Sequence, residues 1–398
     1  MDKTDSSLVP EDFSLVLGGP LYQFFRRVRL SGDALELVSR RVIVLTLLAW
    51  LPLLILSWLE GRAYGTAVRI PFLSDIEVHA RYLVALPVLI ASELVVHRRN
   101  SPLLRRFAEG GIVVPEDMPA FQRNVRAALR VRNSMAAEIG LIILVYTLGI
   151  WLWRSQTAAI DSPSWYKLPG IINGLHLTWA GCWYAYFSIP MLQFLFLRWY
   201  MRLALWFWVL WRTSRLNLHL TAAHPDRAGG LGFLGKGAYA FSPILFAHGT
   251  LLSGLIASRV LYEGQELVSF KMEAAGLVTI MVLCVLGPLL MFIPTLDRVK
   301  RKGLFEFGLL ANRYVFGFEE KWIREKPPNN DELLGAADIQ SLADLGNSYG
   351  VVSEMSLVPF KLVDVARLAA ATAAPLIPLA LTIFSLEELI MRLAKILL

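Results

Sequence analysis

Seven stretches of this chain hold enough nearly uninterrupted apolar sequence to cross a lipid bilayer, and no other feature constrains its fold as tightly. Residues 42–59, 82–96, 139–153, 171–197, 239–262 and 274–294 meet or approach the roughly 20 residues needed to span about 30 Å of hydrocarbon. Residues 363–384 keep the length although Pro375 and Pro378 interrupt it. The expected fold class is all-α: a polytopic helical integral membrane protein with about seven transmembrane helices and short cytoplasmic helices.

Composition supports the same class, because 56% of the residues are hydrophobic and 18% charged, too little charge for a soluble chain of 398 residues. The net charge of +7 would point to nucleic acid in a soluble protein. Here the basic residues fall in the links between apolar runs, so nucleic acid is not an expected partner. Cys182 and Cys284 each lie inside an apolar run and read as packing residues, leaving no C-x-x-C motif and no disulfide framework. The acidic, polar start lacks the basic and apolar parts of a signal peptide, so the first span is expected to direct insertion.

Lys and Arg in short links favour the cytoplasmic side. The link 98–136 holds Arg98, Arg99, Arg105, Arg106, Arg123, Arg126, Arg130 and Arg132, and the link 198–238 is also basic. Alternation then puts the N-terminus in the cytoplasm, the expected site being the cell (inner) membrane. Trp58, Trp151, Trp153, Trp165, Trp179 and Trp183 fall at or near the opposite ends, as ring anchors at headgroup level should.

The chain divides into a cytoplasmic arm at 1–41 with a basic amphipathic segment, a membrane domain at 42–294, a cytoplasmic helical insertion at 295–362, and a last span with an amphipathic tail at 363–398. The apolar character beginning near 171 continues to Trp211 across Pro190, Arg198 and Arg202. It reads as one long bent helix that leaves the membrane near Arg198; a re-entrant 199–212, giving eight segments, is the alternative. The helix after Pro115 is expected to run straight into the third span. Arg123, Arg126 and Arg130 share one of its faces and could meet lipid headgroups, a nucleic acid or an acidic partner segment, although a solvated positive-inside face is the favoured expectation. In the insertion, Leu304, Phe307, Leu310, Tyr314 and Phe318 recur at helical spacing, and a second helix at 338–345 stops near Gly346. Both are expected to pack on the mouth of the membrane domain against 198–211.

The stretch HPDRAGGLGFLGKG contains G-x-G-x-x-G at Gly230, Gly232 and Gly235 and most of a phosphate loop. No strand precedes it, and Gly237 stands where Ser or Thr would hold Mg²⁺, so the nucleotide readings fail. Glycines still let backbone amides gather an anion, with Gly230 and Gly232 as the candidates. His219, His224 and Asp226 are three potential metal ligands within eight residues, but Pro225 lies between the histidines and Asp226 and no H-E-x-x-H is present, so an Asp or His capping the turn is the favoured expectation.

Ionisable groups inside spans are costly and therefore functional candidates. Glu93, His97, Glu138 and His248 qualify, with Thr250 and Ser253 beside His248 on the fifth span. A structural pairing of Glu93 with an arginine of the basic links is the competing expectation. The leading functional expectation is a channel or transporter for an ion or small solute. The alternatives are a scaffold or sensor subunit binding a cytoplasmic partner through 295–359, and a membrane-embedded metalloenzyme, although enzymatic activity is not the favoured expectation. The expected partners are the lipid bilayer, with a second copy of the chain and a cytoplasmic protein left open; no cofactor is expected.

Overall fold

The computed structural model describes residue 14 and residues 16–29, 37–158, 164–168, 176–324 and 337–382. Ten helices organise them: α1 (Pro20–Arg27), α2 (Val38–Leu59), α3 (Ile76–Glu109), α4 (Met118–Arg132), α5 (Met135–Ser155), α6 (Trp179–Ser214), α7 (Phe233–Glu263), α8 (Leu267–Arg324), α9 (Ala337–Ser353) and α10 (Leu362–Ala380). Seven of them, α2, α3, α5, α6, α7, α8 and α10, are long and apolar enough to cross a membrane. Among the described residues the only β pairings are two isolated bridges, Val113 with Leu218 and Lys167 with Leu177. The protein is an all-α, multi-pass membrane protein.

Prolines shape these helices without ending them. Pro87 and Pro190 each lack an N–H and would press their rings on the carbonyls of Leu83 and Tyr186, four residues earlier. In both places the preceding turn widens into a π-helical segment, Ala80–Ala85 and Tyr184–Ser188, and the helix continues. The carbonyl freed at Tyr186 accepts a hydrogen bond from the Tyr146 hydroxyl at 3.0 Å, so the kink also ties α5 to α6. Pro288 and Pro375 likewise sit in tighter 3₁₀ turns, Gly287–Phe292 and Ala374–Thr382.

Residues 198–211 belong to one continuous helix, α6, as the favoured reading has it, and form no separate segment. Other boundaries differ from the sequence expectation. Toward its C-terminal end α6 packs on α4, and the 293–319 part of α8 packs on α9, so the insertion does not cover 198–211. The helix α4 stops at Arg132, because Ser134 caps α5 by accepting from the Ala137 N–H, so the link and the third span are two helices. α9 runs through Gly346 to Ser353 because its packing on α8 outweighs the glycine's low helix propensity. Cys182 and Cys284 are exposed on the bundle surface, not packed inside it. Residues 325–336 and 383–398, the latter holding the end of the expected last span and the expected amphipathic tail, lie outside the described residues.

At the centre, α7 lies between α3 and α10, and α10 also packs on α8. Small residues permit the approach. A Cβ at Gly249 would meet the Thr372 carbonyl of α10, whereas one at Gly276 in α8 would meet nothing within 4 Å. Gly249→Ala is therefore expected to cost about 1–3 kcal/mol by overpacking. Gly276→Ala is expected to gain up to about 1 kcal/mol from helix propensity. Thermal midpoints of the two purified variants in one detergent check this; equal midpoints would contradict the packing.

Candidate functional site

Near the arginine-rich end of the bundle, four helices bring a set of charges out of water. Glu93 of α3 is buried, and its Oε2 lies 2.5 Å from Arg41 Nη2 of α2. Its Oε1 accepts from Arg202 at 2.8 Å and from Arg198 at 3.4 Å, both on α6. Arg198 Nε stands 3.3 Å from Glu138 of α5, whose other oxygen accepts from the Leu21 backbone N–H at 2.8 Å. The N-terminal arm closes this group from the side of the links. Phe25 of α1 lies under Arg41, Ser14 Oγ contacts His97 at 2.8 Å, and the Ser14 carbonyl accepts from Arg132. Burial, and then the charge of Arg202, push Arg132 down to about 10. The open space among Arg41, Glu93, Arg198 and Arg202 is about 10 Å³, room for about one water.

Glu93, His97 and Glu138 are thus gathered in one locked ionic and hydrogen-bonded cluster. His248, Thr250 and Ser253 stand apart from it. Thr250 bonds the Phe246 carbonyl of its own helix at 2.9 Å, Ser253 bonds the Pro375 carbonyl of α10 at 2.6 Å, and His248 pairs with Tyr200. Sequence reasoning missed Arg41, Arg198 and Arg202 as site residues. The signal was there: Arg198 and Arg202, four apart on one helix face inside an apolar run, need a buried acid.

The end of the bundle away from the arginine-rich links is filled with aromatic rings. Trp165 is fully buried against Phe72 and Tyr184, and its Nε1 donates to Asp75 at 2.8 Å. Burial raises the Asp75 carboxyl, against the opposing pull of that bond.

A second site lies where the links meet the bundle. The loop from His224 to Gly232 wraps around the carboxylate of Asp226, which accepts from the amides of Ala228 at 2.8 Å, Gly230 at 3.1 Å and Gly232 at 2.8 Å. Left-handed backbone at Arg227, Gly229 and Gly230 turns those amides inward. His224 Nδ1 is 2.8 Å from the same carboxylate. Burial would raise Asp226, but the three amides and His224 outweigh it, and the carboxyl ionises below its usual range. The anion that the glycines gather is the protein's own.

His219 is held elsewhere, its backbone N–H bonded to the Ile112 carbonyl at 2.7 Å. Among the described residues no group of three His, Cys, Asp or Glu side chains is placed to share a metal ion. His219 and the loop instead form walls of a cleft of about 660 Å³. Arg106, Lys236 and Lys361 line it, all exposed, and Asp226 is its one carboxylate among the described residues. Of the arginine trio on α4, Arg126 bonds Gln122 and Arg130 is exposed. Arg123 joins Arg212 and Arg215 around a separate recess of about 220 Å³.

Fold and sites together define a multi-pass helical membrane protein with a locked ionic cluster in its bundle and an open basic cleft at one end. Compared with known proteins, the chain matches no protein family, no curated protein and no solved structure.

Proposed function

We propose that this protein is a membrane sensor that binds a phosphate-bearing anion in the cleft at its arginine-rich end, placed in the cytoplasm by the positive-inside rule. The observation that carries the reading is the charge of the cleft: among the described residues three exposed cations line it, and the one carboxylate is already saturated by its own loop. A phosphate, with several acceptor oxygens, suits such a lining.

The output is the hairpin of α8 and α9. The Asp226 loop is bonded to its base: Ser356 N–H donates to the Arg227 carbonyl at 2.7 Å, Arg227 pairs with Glu354 at 2.6 Å, and Lys300 donates to the Met355 carbonyl at 2.8 Å. Phe305, Phe316 and Ile323 stand 65–71% exposed along that hairpin, a surface for a cytoplasmic partner. The groups that suggested transport support it less well, since Glu93 is enclosed with about 10 Å³ of space, and Thr250 and Ser253 are bonded to helix carbonyls.

Calorimetric titration of the purified protein with ATP, inorganic phosphate and a short-chain phosphatidic acid tests the reading. At least one is expected to bind, with Arg106→Ala, Lys236→Ala and Lys361→Ala each weakening it about tenfold, the cost of one charge-assisted hydrogen bond. The proposal fails if none binds or if the triple variant binds as tightly as the unaltered protein.

A further inference from the structure

The hairpin of α8 and α9 carries an apolar stripe that the described residues leave exposed. One side of α8 turns toward α9: Gly303 approaches Val352, and Tyr314 and Trp322 each bond Asp338 at 3.0 Å. On the far side stand Phe305, Leu309, Phe316 and Ile323, 44–71% exposed. At about 100° of turn per residue these four fall within roughly 40° of one another, along about 27 Å of helix. The stripe is narrow and straight.

Its spacing says what kind of surface covers it. Leu309, Phe316 and Ile323 are seven residues apart and Phe305 precedes Leu309 by four, the repeat of a helix that winds around another helix of the same repeat. A stripe this narrow is the seam of a two-stranded coil, whereas packing into a globular core takes a broader apolar face. The bilayer supplies the second strand. Two copies of this chain inserted in one membrane hold their α8 helices parallel and at one depth, so each seam meets the same residues of the other without a shift.

The residues flanking the seam agree with that pairing. In a parallel pair Arg301 faces Glu306 of the partner subunit, an attractive contact. The next two flanking positions place Gly308 against Arg313 of the partner subunit and Val315 against Glu320 of the partner subunit, so no like charges meet there. Asn312 lies between Leu309 and Phe316 at the seam, where two facing amides bond each other, and a lone Asn in an apolar seam fixes register. Glu319, at the edge of the seam, is paired within its own chain to Arg324 at 3.3 Å. We propose that the hairpins of two copies of this chain wind together along this stripe, making the protein a parallel homodimer. This names the partner that the sensor reading leaves open and rests on that reading only for the hairpin's role as output. The pairing is measured with no anion present, so the two readings fail separately.

Cysteine cross-linking in the membranes of producing cells tests it, in a chain where the two exposed cysteines are removed by Cys182→Ser and Cys284→Ser. After oxidation, Leu309→Cys and Phe316→Cys are each expected to run mainly at twice the chain mass. Leu310 is as exposed as Leu309 but points about 100° away around the helix. Leu310→Cys is therefore expected to cross-link at least about tenfold less, because a disulfide needs Cα atoms within about 7 Å. In purified protein, Phe316→Glu is expected to weaken the dimer at least about tenfold in sedimentation equilibrium, since it sets like charges against each other in the seam. Elution as a single symmetric species shows that each variant is folded. The proposal is overturned by no product at twice the mass from either seam position, by equal product from Leu310→Cys, or by a Phe316→Glu protein that dimerises as its parent does. A parent that stays monomeric with its seam free would leave the stripe to a different protein.

Discussion

Glu93→Gln is expected to destabilise the protein by about 3–5 kcal/mol, the usual result of removing one partner from a buried ion pair. The substitution keeps the shape of the side chain and removes the one carboxylate that, among the described residues, touches Arg41 and Arg202. Three guanidiniums buried to 2–4% exposure then face each other with, among the described residues, Glu138 as the remaining acid beside them, paired with Arg198. The cost is repulsion together with desolvation, so removing a positive charge should relieve it. Glu93→Gln with Arg202→Leu is expected to recover part of the loss, giving a coupling energy of opposite sign to the single effects. Thermal unfolding of the two singles and the double in detergent measures this. Strict additivity would show that the charges do not interact as the distances indicate, and a Glu93→Gln protein as stable as its parent would remove the cluster from any account of the fold.

The second large effect is expected at Asp226. Asp226→Ala leaves the amides of Ala228, Gly230 and Gly232 without their acceptor and releases a loop whose backbone at Arg227 is left-handed, a strained state for a side chain. The expected loss is about 2–3 kcal/mol of local stability, discounted because the carboxylate is partly exposed. Hydrogen exchange at Gly230 and Gly232, corrected for intrinsic rates, reads it directly. The pH dependence has a definite sign. The folded carboxyl ionises below the unfolded value of about 4, so its contribution is complete above that pH and fades as the pH falls through the folded value. Protection in the unaltered protein should therefore hold from neutral pH down to about 4 and decline below it. In Asp226→Asn it should be low throughout. A loop equally protected in both proteins at pH 7 would leave the carboxylate without its structural role.

The same residue separates the two stages of inference. Asp226 was visible in sequence as an acid able to cap its own turn, and the fold turns the amides of Ala228, Gly230 and Gly232 onto it, so the external anion that the glycines also suggested finds those amides taken. What remains for an external ligand is the cleft behind the loop. Arg106, Lys236 and Lys361 are 130 or more residues apart in two of their three pairings and meet only because α3, α7 and α10 end at the same level. No spacing rule reaches across such distances.

What the sequence determined by itself was the solvent and the class of fold. Backbone groups in hydrocarbon must bond within their own segment, so each apolar run of sufficient length becomes a helix whatever its neighbours do. Residue spacing located the proline strain but not its outcome, since Pro52 and Pro102 lie within unbroken α-helix while the turns before Pro87 and Pro190 widen. Tertiary structure alone decided which ionisable groups meet. Glu93 lies 52 positions from Arg41 and over 100 from Arg198 and Arg202, and lipid-driven helix formation is indifferent to which faces turn toward one another. That choice belongs to packing, through the closeness that Gly249 permits, the bends at Pro87 and Pro190, and the cost of leaving any buried charge unmatched.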